Sequence, residues 1–160
     1  MVIGFYRETD EYGCFSNWYP AAFIVDGVRF ISSEQYMMFS KARLFGDTVT
    51  AAKILQEDDQ LKIKNLGREV ASFDSHVWGA NNMEIMKRGL LAKFSQNEDI
   101  KAVLLGTGDN KLAECAPRDL VWGIGYSTGS PNVQDPAKWR GKNRLGQVLM
   151  QVREELRKDK

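Results

Sequence analysis

A mostly helical α+β domain is predicted by three features of the sequence. Apolar residues recur at helical spacing behind capping residues across much of 32–106 and again over 143–157. One Asp-Gly pair separates two short β-prone runs near the N-terminus. No linker, repeat or low-complexity tract divides the chain. With 160 residues, 43% apolar and 27% charged, the composition is that of one globular unit with one core. A single domain over 1–160 is therefore expected.

The elements follow in order. Residues 2–6 and 22–30 read as short strands around an aromatic-rich loop. Within the second, Asp26-Gly27 is a hairpin-turn signal between Phe23-Ile24-Val25 and Val28-Arg29-Phe30, which predicts a small antiparallel sheet. Ser32, with Gln35 three residues on, forms a capping-box pattern for a helix that runs to about Leu44 and ends at Gly46. Asp47 caps a second helix through Leu55, and a third covers 59–66 and stops at Gly67. A fourth runs from about Asn82 to Ser95 with Ile85, Met86, Leu90 and Phe94 on one face. Asn97 caps a fifth, ending at Gly106. Residues 107–141, rich in Gly, Pro, Asp and Trp, read as a long structured loop with extended pieces at 111–115 and 120–124. Loops of that length in compact domains are often functional. The last helix, 143–157, buries Leu145, Val148, Leu149, Val152 and Leu156.

Charge narrows the function. There are 22 basic and 21 acidic side chains, a net charge of +1, which argues against non-specific coating of nucleic acid and against an anionic membrane surface. No apolar stretch approaches the roughly 18 residues of a membrane span, and the N-terminus lacks the pattern of a secretion signal. A cytoplasmic protein with reduced Cys14 and Cys115 is expected. The single histidine, His76, rules out a His-rich zinc site, and the two cysteines lack the paired spacing of metal ligands, so no metal is predicted. Any Ser-His-Asp or Cys-His device would have to use His76. Carboxylates are the better source of catalysis.

Glu34 is the first candidate. It falls in the first turn of its helix, where acidic residues are favoured by the helix dipole alone. The same placement keeps a carboxylate ionised, which suits a general base or a stabiliser of positive charge and not a general acid. Lys41, two turns on, shares its face or is an ordinary surface lysine. In Asp119-Leu120-Val121-Trp122-Gly123-Ile124-Gly125 an acid stands three residues before Trp122, and Gly123 and Gly125 either admit a ligand or shape a tight turn. Trp78 is a core aromatic or a plate for stacking a base. Ser16 and Asn17, in a polar-aromatic loop, either bond a ribose or base edge or close a turn. Lys142, Asn143 and Arg144 open the last helix, a place suited to phosphate or simply a solvated basic start. The P-loop spacing is absent.

The order of these signals is more specific than any of them alone. Phe15-Ser16-Asn17, Ser33-Glu34-Gln35-Tyr36 with Lys41, Gly67-Arg68, Trp78, Met86 with Lys93-Phe94, Asp119 with Trp122-Gly123-Ile124-Gly125, and Gly141-Lys142-Asn143-Arg144-Leu145-Gly146 together resemble the NADAR, or YbiA-like, family over about residues 3 to 157. The resemblance implies a mainly α-helical α+β fold and N-glycosidase activity without a cofactor. Members of the family hydrolyse the ribosyl C–N bond of ribosylamino-pyrimidine 5′-phosphates of the riboflavin pathway. Others remove ADP-ribose from modified guanine in DNA. By resemblance, Glu34, Trp78 and Asp119 are the functional residues, and the Gly-Lys-Asn-Arg segment lines the same pocket. The implied partner is a ribose-phosphate or ADP-ribose-like small molecule, or ADP-ribosylated DNA, and no membrane. A non-catalytic ADP-ribose or NAD-binding module is the alternative. Two features depart from close members: Gln35 stands where they carry His, and 126–140 is a longer loop with Pro131, Pro136 and Trp139.

Overall fold

The computed structural model describes residues 1–159. Strand β1 (Val2–Phe5) leads into an aromatic loop with a 3₁₀ turn at Gly13–Phe15, followed by the hairpin of β2 (Phe23–Val25) and β3 (Val28–Phe30). Helices α1 (Ser33–Leu44), α2 (Thr48–Gln56), α3 (Gln60–Arg68), α4 (Ser75–Ser95) and α5 (Glu98–Gly106) follow, then β4 (Lys111–Glu114). Two further 3₁₀ turns, Pro131–Gln134 and Pro136–Lys138, precede α6 (Arg144–Lys158). The fold is mainly helical α+β, as expected.

The sheet is more than the predicted antiparallel pair. The hairpin is antiparallel, with Phe23 opposite Phe30, but β1 pairs separately and in parallel with β4, Val2 opposite Lys111 and Phe5 opposite Glu114. A parallel pair needs a long crossover, and here the hairpin and five helices supply it. That pairing carries the end of β4 to the start of α6.

Local capping sets most helix starts. Ser32 Oγ accepts the N–H of Gln35 at 3.1 Å, Asp47 Oδ1 accepts Thr50 at 3.0 Å and Asp59 Oδ1 accepts Lys62 at 3.0 Å. Gln35 does more than complete its cap. Its Oε1 accepts Ile31 N–H at 2.9 Å, and its Nε2 donates to the carbonyls of Ile54 at 3.0 Å and Glu57 at 3.2 Å, satisfying the end of α2.

Two helix boundaries, one cap and one extended piece depart from the sequence reading. Helix α3 passes through Gly67, because α1 packs so closely that a Cβ there would lie 2.0 Å from Met38 Sδ. Helix α4 begins at Ser75, not Asn82: Asp74 Oδ1 accepts His76 and Val77 N–H at 2.8 and 3.1 Å, a cap hidden in the sequence by the polar run that follows. Asn97 stands at the α5 cap position, but its Nδ2 donates to Ala22 and Lys93 carbonyls instead of its oxygen capping the helix. Residues 120–124 form a turn and not a strand, because Asp119 Oδ1 captures the N–H groups of Val121 at 3.0 Å and Trp122 at 2.8 Å.

The main core joins Phe5, Phe15, Met86, Leu90, Phe94, Leu104 and Leu112 to the predicted α6 stripe, all of it buried. Each such side chain contributes roughly 1.5–3 kcal/mol on burial. Lys93 lies within this core, fully buried. No helix among the described residues is long and apolar enough to cross a membrane. Cys14 and Cys115 are both buried free thiols.

Candidate active site

The first turn of α1 is held from below. Glu34 N–H donates to Asn17 O at 2.9 Å, Ser33 Oγ donates to Asn17 Oδ1 at 2.8 Å, and Lys93 Nζ donates to Ser16 O at 3.1 Å and Ser33 Oγ at 3.4 Å. Ser16 Oγ meanwhile accepts Trp18 N–H at 3.2 Å. Ser16 and Asn17 therefore brace the helix start and close their own turn. Above this brace Glu34 is only 6% exposed.

Burial decides its charge state. Desolvation pushes the Glu34 carboxyl up to about 7, Lys64 and then Lys41 pull it down, and Asp119 raises it further. The first-turn position alone favours ionisation, but here loss of water outweighs the favourable cations and raises the carboxyl. Glu114, at the end of β4, is a residue the sequence reading passed over. It keeps part of its surface open, yet its carboxyl is pushed up to about 8, first by desolvation, then by Asp119 and Glu34, with Lys64 opposing. Glu34, Glu114 and Asp119 hence form one electrostatically coupled carboxylate group. Among the described residues no set of three His, Cys, Asp or Glu side chains is placed to hold a metal ion.

The 119–125 turn and the opening of α6 interlock. Lys142 N–H donates to Leu120 O, Asn143 to Gly123 O, Arg144 to Val121 O and Leu145 to Trp122 O, at 2.9 to 3.2 Å. Asn143, in the left-handed region with φ 53°, sends Nδ2 to Leu112 O at 2.9 Å while its Oδ1 accepts Glu114 N–H at 3.0 Å. Arg144 Nη1 donates to Gly79 O at 3.0 Å and Asn82 Oδ1 at 2.8 Å, joining α6 to the part of α4 that carries Trp78. Trp78 and Trp122 are both half-buried against the main core. Gly123 and Gly125 leave room for neighbouring chain: a Cβ would lie 2.8 Å from Ala116 Cβ at the first and 2.8 Å from Arg140 Cβ at the second, where φ is 82°.

Lys41 is half-buried, with Nζ 4.6 Å from the Phe73 ring centroid. Its pKa is lowered by burial, with Glu34 raising it and Arg68 lowering it. Lys142 is exposed, as is His76 in the first turn of α4. Two clefts of about 450 and 250 Å3 open at β1 and beside α5, and neither is lined by the three carboxylates.

Glu114 and Lys64 were missed, and Lys93 was quoted in the family pattern without a role, for different reasons. Glu114 lies within the extended piece predicted over 111–115, five residues before Asp119, a usable signal. Lys93 lies seven residues after Met86, in line with the apolar face of α4, and that intrusion of a charge was legible. Lys64 carries no local signal.

Comparison with known proteins extends the geometry. The NADAR domain model matches residues 4–157. An N-glycosidase of Acanthamoeba polyphaga mimivirus is 45% identical over 147 residues, covering 88% of this chain and 86% of the relative. A riboflavin biosynthesis protein of Vibrio vulnificus is 34% identical over 96% of this chain, which spans 38% of that longer protein. The solved NMR structure of Escherichia coli YbiA matches with a TM-score of 0.80 at 32% identity, covering 99% of this chain and 86% of that one. Escherichia coli YbiA is itself named an N-glycosidase.

Proposed function

The chain belongs to the NADAR domain family, and from that membership we propose that it is an N-glycosidase hydrolysing the ribosyl C–N bond of a ribose-phosphate compound in the cytoplasm. The observation that carries this reading is the buried Glu34 carboxyl, acted on by Asp119 and itself acting on Glu114. Two N-glycosidase relatives and a riboflavin biosynthesis relative support the bond type and the substrate class. Two buried free thiols suit a reducing compartment.

Water adds across the bond, its hydroxyl to the anomeric carbon and its proton, in sum, to the departing nitrogen. The transition state is oxocarbenium-like, as in other glycoside cleavages. Glu34, its carboxyl raised by burial, faces the developing positive charge and takes a proton from the attacking water. Glu114, the other raised carboxyl, supplies the proton to the leaving nitrogen. Asp119, fixed through Oδ1 by two backbone N–H groups, turns its other oxygen to the ribose hydroxyls. Trp78 stacks on the leaving base, Trp122, Gly123 and Gly125 line the site, and Lys41 and Lys142 face phosphate. Ser16, Asn17, Asn143 and Arg144 act by holding these groups in place.

The test is an assay of Glu34→Gln for release of free base from ribosylamino-pyrimidine 5′-phosphates, beside ADP-ribosylated guanine DNA. Loss of turnover by a factor on the order of 10²–10⁴ with intact folding is expected. Near-normal turnover removes Glu34 from the reaction. Preference for the DNA substrate replaces the riboflavin-type reading with the ADP-ribosyl one.

A further inference from the structure

Three cations beside Glu34 have no acidic partner among the ion pairs of the described residues: Lys41, Lys64 and Arg68. Lys64 and Arg68 stand four residues apart on α3 and so share a face, and like charges at that spacing oppose the helix by a few tenths of a kcal/mol. Gly67, next to Arg68, is pressed onto Met38 of α1, which sets this part of α3 beside the α1 turn that carries Lys41. Lys41 and Lys64 both act on the Glu34 carboxyl, and Arg68 opposes the charge of Lys41. Exposed Phe73 closes the group, its ring under Lys41 Nζ. The acids that act on Lys41 and Lys64 are the raised carboxyls Glu34 and Glu114 of the site itself, and neither is ion-paired to these cations among the described residues. Three cations gathered on that side form the concentration of positive charge that a phosphate-binding surface requires.

At the other candidate for phosphate, the opening of α6, the protein already engages every group but the exposed Lys142 side chain. The first N–H groups of α6 donate to carbonyls of the 120–122 turn, and Arg144 is bonded to Gly79 and Asn82. We propose that Lys41, Lys64 and Arg68 form the anion subsite that binds the substrate phosphate, with Phe73 as its wall. This rests on the N-glycosidase reading, for which it supplies the side of Glu34 on which the phosphate lies.

Binding is measured apart from turnover, so the two readings can fail separately. Inorganic pyrophosphate and ribose 5-phosphate are titrated into wild type, Lys64→Gln, Arg68→Gln, the double variant and Lys142→Ala, with affinity read by calorimetry and folding by circular dichroism. At least tenfold weaker binding in the double variant is expected, with a smaller loss in each single variant and in Lys142→Ala. In turnover, the double variant raises KM for a phosphorylated substrate at least tenfold and leaves KM for its dephosphorylated form unchanged. Failure of wild type to bind either probe, unchanged affinity in the folded double variant, or a larger loss in Lys142→Ala overturns the subsite. Loss of turnover in Glu34→Gln with phosphate binding retained leaves both readings standing; full turnover in Glu34→Gln removes only the catalytic one.

Discussion

Asn143 accepts the backbone N–H of Glu114 through Oδ1 at 3.0 Å while donating through Nδ2 to Leu112 O. One buried amide thus fixes both the end of β4 and the start of α6. Truncation in Asn143→Ala strands a buried N–H and a buried C=O and places alanine at a positive φ. About 2–4 kcal/mol of stability should be lost. Asn143→Gly relieves only the backbone part. Urea unfolding of both variants beside wild type separates the two parts: equal midpoints of the variants would show that the positive φ costs nothing, and a glycine variant as stable as wild type would show that the side-chain bonds contribute nothing.

Glu34 has a folded pKa of about 7 against about 4.5 when exposed. The folded state therefore prefers the protonated form. Its favourable contribution is complete below the unfolded value and is lost as pH rises toward 7. Glu34→Gln should gain stability over wild type between pH 5 and 8, by about 3 kcal/mol at most. Paired denaturant titrations at the two pH values check this, and a constant difference contradicts it.

The two raised carboxyls give the reaction a narrow pH window. Activity as kcat/KM should rise near pH 7 as Glu34 ionises and fall near pH 8 as Glu114 loses its proton. Glu114→Gln should abolish the alkaline limb and lower the rate on the order of 10²–10⁴. An alkaline limb that survives the substitution assigns the proton donor elsewhere.

Lys93 is depressed to about 7 by burial. Its folded pKa lies below its unfolded one, so wild-type stability grows as pH rises from about 7 towards the unfolded value. Lys93→Met should be more stable than wild type below pH 7, with an advantage that shrinks toward pH 10. It should also lower kcat, because Ser16 and Ser33 lose the ammonium that braces the turn of Glu34. Melting curves and kinetics across that range decide it; an advantage independent of pH rules the titration out.

Helices were the legible part of this fold, and the reason is local. Ser32, Asp47 and Asp59 declare their helices within four residues, and the α6 stripe declares its buried face. Asp74 did the same, but Gly79 and the Asn81-Asn82 pair blurred the pattern behind it. The parallel pairing of β1 with β4 has no local signal, because Val2 and Lys111 meet only through the tertiary fold. The candidate site divides in the same way. Glu34 and Asp119 were visible as first-turn and turn acids. Lys64, which acts on Glu34, and Glu114, the second raised carboxyl, come from elements distant in the chain. Gly123 and Gly125 have the spacing of a ligand loop, and close packing of neighbouring chain at both, with a φ of 82° at Gly125, also favours glycine there.

The β1–β4 register has a bearing on how the molecule is made. During translation α1 to α5 are complete before residues 111–114 leave the ribosome, so the nascent chain holds Glu34 in an unfinished cradle. Only when the last third emerges can the N-terminal strand find its mate and bring Glu114 to its station. A nascent polypeptide stalled before that point carries Glu34 with Lys41 and Lys64 but lacks Glu114 and Asp119, so the three carboxyls come together only in the finished chain.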